Sequence, residues 1–245
     1  MTRGQPVTDE AVVVGLLDYR EGDRIVTLFC RDHGKVAVIA RGARSSRKRF
    51  GGALELFARL QVTFPLREGL APLGETAIVT IYPGIRQDFA AIAHAGYACE
   101  LTAAMLPEHL GNPRLFRLLT AYLEYLDQGG AEPGERHFFE MNLLNILGYR
   151  PPLETCPGCG ALLAERGGCW TATECLCPGC AAGLAGTRLA AGTIVRLLQS
   201  LRTGRFGQAR FTEREQQEAE RFLQDFIAGH LTRPLKSLAF LRLSP

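Results

Sequence analysis

Nothing in this chain approaches the roughly 18 consecutive apolar residues that a membrane-spanning helix requires. The opening MTRGQPVTDE also lacks the apolar core of a secretory signal. Catalytic signatures are missing as well. There is no HExxH, no GxSxG and no P-loop, and the glycines at 42, 51 and 52 have no Lys-Ser/Thr partner. The five histidines, His33, His94, His109, His137 and His230, are scattered without paired metal spacing. A large excess of charge is absent too, since the net charge is only +3. These absences predict a cytoplasmic protein that is not an enzyme and has no membrane partner.

What is present is a folded composition, 47% hydrophobic and 22% charged over 245 residues. That length suits two unequal domains better than one core. Charge is unevenly spread: residues 1–85 carry 12 Lys/Arg against 9 Asp/Glu, and residues 86–150 carry 5 against 8. Residues 151–245 return to a basic balance, 11 against 8. An acidic middle therefore lies between two basic flanks.

The first third reads as β-structure. Segments 11–17, 25–30, 35–40, 59–66 and 75–81 are short and branched or alternating, with turn signals between them. Asp32-His33-Gly34 predicts a tight hairpin. Five short strands favour a small barrel or two packed sheets. From about residue 87 the period becomes helical, with helices predicted over 87–105, 113–128, 135–147, 190–201 and 212–227. Asn112-Pro113 supplies a cap and first turn, and Thr212 with Glu215 a capping box. The division expected is a β domain over 1–83, a helical domain over 84–152 and 183–245, and an insertion over 153–182.

That insertion holds six of the eight cysteines, in CPGCGALLAERGGCWTATECLCPGC. Two Cys-x-x-Cys knuckles, Cys156/Cys159 and Cys177/Cys180, stand 17 residues apart, each in a Pro-Gly turn. Four thiolates at this spacing predict one structural Zn2+ with no open coordination position. Redox dithiols are the competing reading. Cys175 and Cys169 compete for a place among the ligands, and Cys177 is preferred because its two-residue gap repeats the first knuckle. Cys30 and Cys99 lie in apolar surroundings and read as buried free thiols.

The second concentrated feature is RGARSSRKR at 41–49, with Arg41, Arg44, Arg47, Lys48 and Arg49 and no acid. A mobile arginine-rich loop at the rim of a barrel can follow a phosphate backbone. The bland alternative is a solvated charged loop. Arg20, Arg24 and Lys35 are further basic candidates in the β region, and Phe50 is the best ring for stacking a base. Phe29, Phe57, Phe64, Tyr19 and Tyr82 are also available, but most lie at strand positions that fit core packing better. Arg202, Arg205 and Arg210 are further basic candidates that read singly as solubilising surface groups, while Arg233, Lys236 and Arg242 either add to a second basic surface or meet an acidic partner tail.

The order of these parts resembles the RecO family of bacterial recombination-repair mediators. The resemblance is carried by VTDEAVVVGLLDYREGDRIVTLFCR at 7–31, GKVAVIARGARSSRKR at 34–49, FFEMNLLNILGYRPP at 138–152 and LKSLAFL at 235–241. It implies an α+β chain: an N-terminal OB-fold β-barrel, then a helical domain interrupted by a zinc module. It further implies non-enzymatic binding of single- and double-stranded DNA and annealing of complementary strands. Implied partners are RecR, the acidic C-terminal tail of single-stranded-DNA-binding protein and, through function, RecA and RecF. A nucleoid-associated place in the cytoplasm follows. From another class, the rival is a zinc-stabilised scaffold that recruits proteins and meets nucleic acid incidentally. A nucleic-acid enzyme is a third reading.

Overall fold

The computed structural model describes residues 5–43, 50, 53–67, 69–208, 210–241 and 243. The strands are β1 (Pro6–Tyr19), β2 (Asp23–Cys30), β3 (Gly34–Ala40), β4 (Arg59–Pro65), β5 (Ala71–Pro72), β6 (Thr76–Thr80), β7 (Gly168–Trp170), β8 (Cys175–Leu176) and β9 (Thr187–Leu189). The helices are α1 (Phe89–Met105), α2 (Pro113–Asp127), α3 (Pro133–Ile146), α4 (Leu163–Arg166), α5 (Ala191–Ser200), α6 (Glu213–Ala228) and α7 (Leu238–Leu241). They form two compact units, residues 1–129 with 235–245, and residues 130–234.

In the first unit six strands hydrogen-bond in the order β5-β3-β2-β1-β4-β6. β1 is long enough, at 14 residues, to serve two partners. Its first half pairs with β4 from Pro6↔Pro65 to Val12↔Arg59, and its second with β2 from Ala11↔Cys30 to Tyr19↔Asp23. An irregularity between Val13 and Gly15 bends the strand where the partner changes. The ladder itself is not closed, so β5 and β6 stand at its two ends. The chain between them nonetheless crosses from one end to the other. Leu73 N–H bonds to Ile39 O at 2.9 Å, and Gly74 N–H bonds to Thr63 O at 2.8 Å.

Period-two alternation decides which faces are buried. β3 buries Gly34, Val36, Val38 and Ala40, and β4 buries Leu60, Val62 and Phe64. The predicted hairpin joins β2 to β3 with Cys30 opposite Gly34. Gly34 has φ +70°, and a Cβ there would stand 2.2 Å from Leu110 O, so only glycine fits. Beside it the buried Asp9 carboxylate accepts from the N–H groups of Asp32 and His33, each at 3.0 Å, and from His33 Nδ1 at 2.7 Å. That one acid fixes the turn.

The helices α1, α2 and α7 group with this sheet, so the compact unit is larger than the predicted 1–83 domain. Specific contacts explain why. Asp127, at the end of α2, accepts from Gly84 N–H at 2.6 Å and Ile85 N–H at 3.2 Å. A Cβ on Gly84 would meet Asp127 O at 2.0 Å. Arg59 of β4 pairs with Glu10 of β1 and reaches Glu124 of α2 at 3.1 Å. The closing segment is held by Glu100 of α1, which accepts from Lys236 N–H (3.0 Å), Ser237 N–H (2.8 Å) and Ser237 Oγ (2.6 Å). Both predicted caps of α2 and α6 are present. Asn112 Oδ1 accepts from Leu115 N–H at 3.0 Å, and Thr212 and Glu215 form the reciprocal box.

The second unit packs α3, α5 and α6 with the cysteine segment. β7, β8 and β9 form a small sheet in the order β8-β7-β9. Trp170 of β7 is 4% exposed and contacts Phe222 and Phe226 of α6, with centroids 5.6 and 5.3 Å apart. The cysteine segment is thereby welded to a helix by aromatic packing as well as by its own turns.

Candidate metal centre and nucleic-acid interface

The first knuckle is a tight turn, closed by Cys156 N–H to Ala161 O and Gly160 N–H to Cys156 O, both 2.8 Å. The second is closed by Ala181 N–H to Cys177 O at 2.9 Å. Each turn presents two sulphurs to the same point. The Sγ atoms of Cys156, Cys159, Cys177 and Cys180 all lie within 4.8 Å of one another, and Cys159 Sγ stands 3.6 Å from Cys177 Sγ. A tetrahedral ion with metal–sulphur bonds of about 2.3 Å separates its sulphurs by about 3.8 Å, so this donor set fits one.

Electrostatics point the same way. Cys177 N–H donates to Cys156 Sγ at 3.2 Å. That bond, with further N–H donors in the knuckle, holds the Cys156 thiol down at about 6. Cys177 is lowered in turn, first by the Cys180 N–H. Cys180 is pushed up to about 12 by its three thiol neighbours, so charge on all four calls for a cation among them. Cys169 and Cys175 stay outside this group. Cys175 lies buried in β8, and desolvation pushes its thiol up to about 12. Cys30 and Cys99 are buried free thiols, as expected, and burial raises both.

The basic candidates separate into three sets. Tyr19 pairs with Asp23, and Arg24 with Ala40, so the β1–β2 turn and the outgoing end of β3 share one end of the sheet. Arg20, Arg24 and Arg41 therefore come together there, at the point from which the basic run departs. Gly42 N–H, bonded to Asp23 Oδ1 at 2.9 Å, anchors its root. Arg41 is exposed, and Arg20, at φ +54°, holds its guanidinium 5.1 Å from the Tyr19 ring centroid. Arg24 is engaged by Asp18 at 2.9 Å and by Leu54 O at 3.4 Å. Arg44, Arg47, Lys48 and Arg49 lie outside the described residues.

Two expectations need correction. Lys35 sits at the opposite end of β3 from Arg41, about 20 Å away along the strand, and its Nζ donates to Ala103 O at 2.9 Å. It braces α1 instead of joining the basic end. Phe50 is 5% exposed and belongs to the core with Val38, Leu60 and Phe64, so its ring is withdrawn from stacking. Burying an aromatic beneath the sheet is worth more than leaving it at a wet rim. Phe29, Phe57, Phe64 and Tyr82 are buried as expected. Among the described residues the exposed ring at the basic end is Tyr19, one of the rings the sequence made available.

This architecture, a strand-rich N-terminal region followed by a helical region with a four-cysteine cluster, is matched along its length by family models of a recombination protein. The model described as Recombination protein O N terminal matches residues 1–82, and Recombination protein O C terminal matches residues 86–239. The DNA repair protein RecO of Geobacter sulfurreducens is 56% identical over 241 residues, covering 97% of this chain and 98% of that protein. Its counterpart in Geobacter metallireducens is 49% identical, over 95% of this chain and 96% of that protein. In Myxococcus xanthus the DNA repair protein RecO is 37% identical, over 95% and 96%. The chain belongs to the RecO family of bacterial DNA-repair and recombination mediators. Among the described residues no helix is long and apolar enough to cross a membrane.

Proposed function

We propose that this chain binds DNA strands through the basic end of its sheet, brings complementary strands together and helps to load a recombinase with RecR. The observation that carries the reading is the convergence of Arg20, Arg24 and Arg41 at the root of the run containing Arg44, Arg47, Lys48 and Arg49. Guanidinium groups there neutralise phosphates and lower the repulsion between two strands, which lets bases pair. Contacts of this kind read no sequence. Tyr19 is the ring on which a base stacks, in place of Phe50.

The sheet is an OB-type barrel in this reading. Parallel pairing of β3 with β5 and the crossing of Leu73 and Gly74 to β4 support it, with β5 and β6 acting as one strand that changes partner. Cys156, Cys159, Cys177 and Cys180 would hold Zn2+, which supplies folding energy to the insertion over 153–182. Membership of the family supports the remaining partners: single- and double-stranded DNA, the tail of single-stranded-DNA-binding protein, and RecA and RecF through function. It also supports a cytoplasmic, nucleoid-associated location.

Fluorescence anisotropy of a labelled mixed-sequence single strand tests the interface. Five released counterions give a salt slope of about −3.5, or about 100-fold weaker binding between roughly 50 and 200 mM salt. Replacing Arg44, Arg47, Lys48 and Arg49 by alanine should erase most of that dependence. Weak binding that ignores both salt and substitution would refute the interface and leave protein recruitment as the function.

A further inference from the structure

A cavity of about 310 Å³ opens in the second unit where α5 ends. Arg196, Ser200, Arg202, Thr203, Arg210 and Phe211 line it, and among the described residues no acidic side chain does. The end of a helix ordinarily repels an anion, because its last carbonyls face outward. Here those carbonyls are occupied. Ser200 Oγ donates to Arg196 O at 3.1 Å, and Thr203 Oγ1 to Gln199 O at 3.3 Å. The N–H groups of Arg202 and Thr203 also donate to Gln199 O, and Asn142 Nδ2 reaches Ser200 O at 2.9 Å.

The arginines are consequently not consumed as helix caps. Arg196 gives one N–H to Gln199 Oε1 at 3.1 Å, which leaves most of its five donors. Arg210 meets Glu132 at only 3.8 Å, with both side chains largely exposed. Among the described residues, the three guanidinium groups thus face one carboxylate, Glu132. Phe211 adds a flat apolar wall, half-buried and backed edge-on by the buried His137 at 5.6 Å. Planar forks match phosphate oxygens, and an aromatic face beside them matches a base. The volume is at the small end of ligand cavities, about 300–1,000 Å³.

We propose that this cavity binds a single nucleotide, its terminal phosphate held by Arg196, Arg202 and Arg210 and its base against Phe211. The proposal deepens the strand-handling reading, because such a nucleotide is either free or the phosphorylated end of a strand. It does not depend on the basic end of the sheet.

Isothermal titration of the full chain with dAMP, deoxyadenosine and inorganic phosphate tests it. dAMP should bind about tenfold or more tighter than either fragment. The double variant R202A/R210A should lose at least about 100-fold, and Phe211→Leu about tenfold, with far-UV dichroism unchanged. Absent dAMP binding, or binding indifferent to both variants, would overturn the proposal. Phosphate binding as tightly as dAMP would reduce the cavity to a simple anion site and overturn it as well. Competition by 5′-phosphorylated against 5′-hydroxyl oligonucleotides separates the sources: a strand end favours the first, a free nucleotide makes them equal. Replacing Arg44, Arg47, Lys48 and Arg49 should leave dAMP binding intact. A protein that binds strands but not dAMP sinks this proposal alone, and the reverse sinks the sheet interface alone.

Discussion

Glu100 holds the closing segment to α1 through one carboxylate, and removing that carboxylate should release the segment. Glu100→Ala deletes three hydrogen bonds, from Lys236 N–H, Ser237 N–H and Ser237 Oγ. Bonds to a charged acceptor are worth about 1.5–3 kcal/mol each when buried. These are partly open to water, and water re-solvates both N–H groups once the segment leaves. A net loss of about 2–3 kcal/mol is therefore expected. Leu235 and Leu241 are buried and continue to hold the segment, so the loss appears as local opening. Amide hydrogen exchange reads this directly. Protection from Lys236 to Leu241 should fall by about 30- to 150-fold, since 1.4 kcal/mol is about tenfold. The β1–β4 amides should keep their rates. Trypsin gives a second reading, with cleavage after Lys236 accelerating in the variant. Glu100→Gln should rescue little, because one carboxylate oxygen becomes an NH2 group facing N–H donors. Unchanged protection around residues 236–241 in the alanine variant would refute the anchoring role.

Three further outcomes follow from the same geometry. Phe50→Ala should destabilise the first unit by about 3–5 kcal/mol, measured by urea unfolding, whereas Tyr19→Ala should leave stability within about 1 kcal/mol and weaken strand binding. Cys177→Ser, or a strong chelator, should release one bound metal per chain by mass spectrometry and shift Trp170 emission to the red, since β7 carries Trp170 against Phe222 and Phe226. Glu218 supplies the pH dependence. Burial pushes its carboxyl up, but bonds from Thr193 Oγ1, Ala190 N–H and Arg214 outweigh that and hold it below its ordinary 4.5. A carboxyl lowered on folding contributes stability above its unfolded pKa, and that contribution disappears as pH falls through the folded value. Glu218→Gln should therefore narrow the stability difference between neutral and acid pH, and an unaltered acid limb in thermal melts would count against this role of Glu218.

Residue type was easier to read than residue partner. Alternation marked β1, β2, β3, β4 and β6, and helical period marked α1, α2, α3, α5 and α6, because each buries one face against a core. β5, β7, β8 and β9 are not legible in the sequence, since strands of two or three residues carry no period. The cysteine knuckles were legible because a two-residue gap constrains geometry locally. Lys35 was not. Nothing in its neighbourhood announces Ala103, which stands 68 positions away and accepts from its ammonium group. Phe50 is illegible for a related reason: a ring following five cations looks like part of their surface, while the core it joins is drawn from β1, β2, β3, β4 and β5.

The limit of the first compact unit shows what local sequence cannot express. A change of period near residue 87 is a true change of secondary structure, yet the compact unit continues to residue 129. What joins sheet to helices is long-range contact, apolar where Phe29 of β2 meets Phe116 of α2 and polar at several further points. Asp127 holds the backbone at Gly84, Arg59 bridges Glu10 and Glu124, and Lys35 ties β3 to the end of α1. Several of these depend on absent atoms, as at Gly84 and Gly34, where a single Cβ would collide with a carbonyl. Tethers of this kind resist relative motion of strands and helices, because losing one leaves a buried donor or acceptor unpaired. The consequence reaches the proposed interface. Lys35 ties β3 to α1 at the end of the strand opposite Arg41, so the tether leaves the end that would carry the proposed interface clear of that contact.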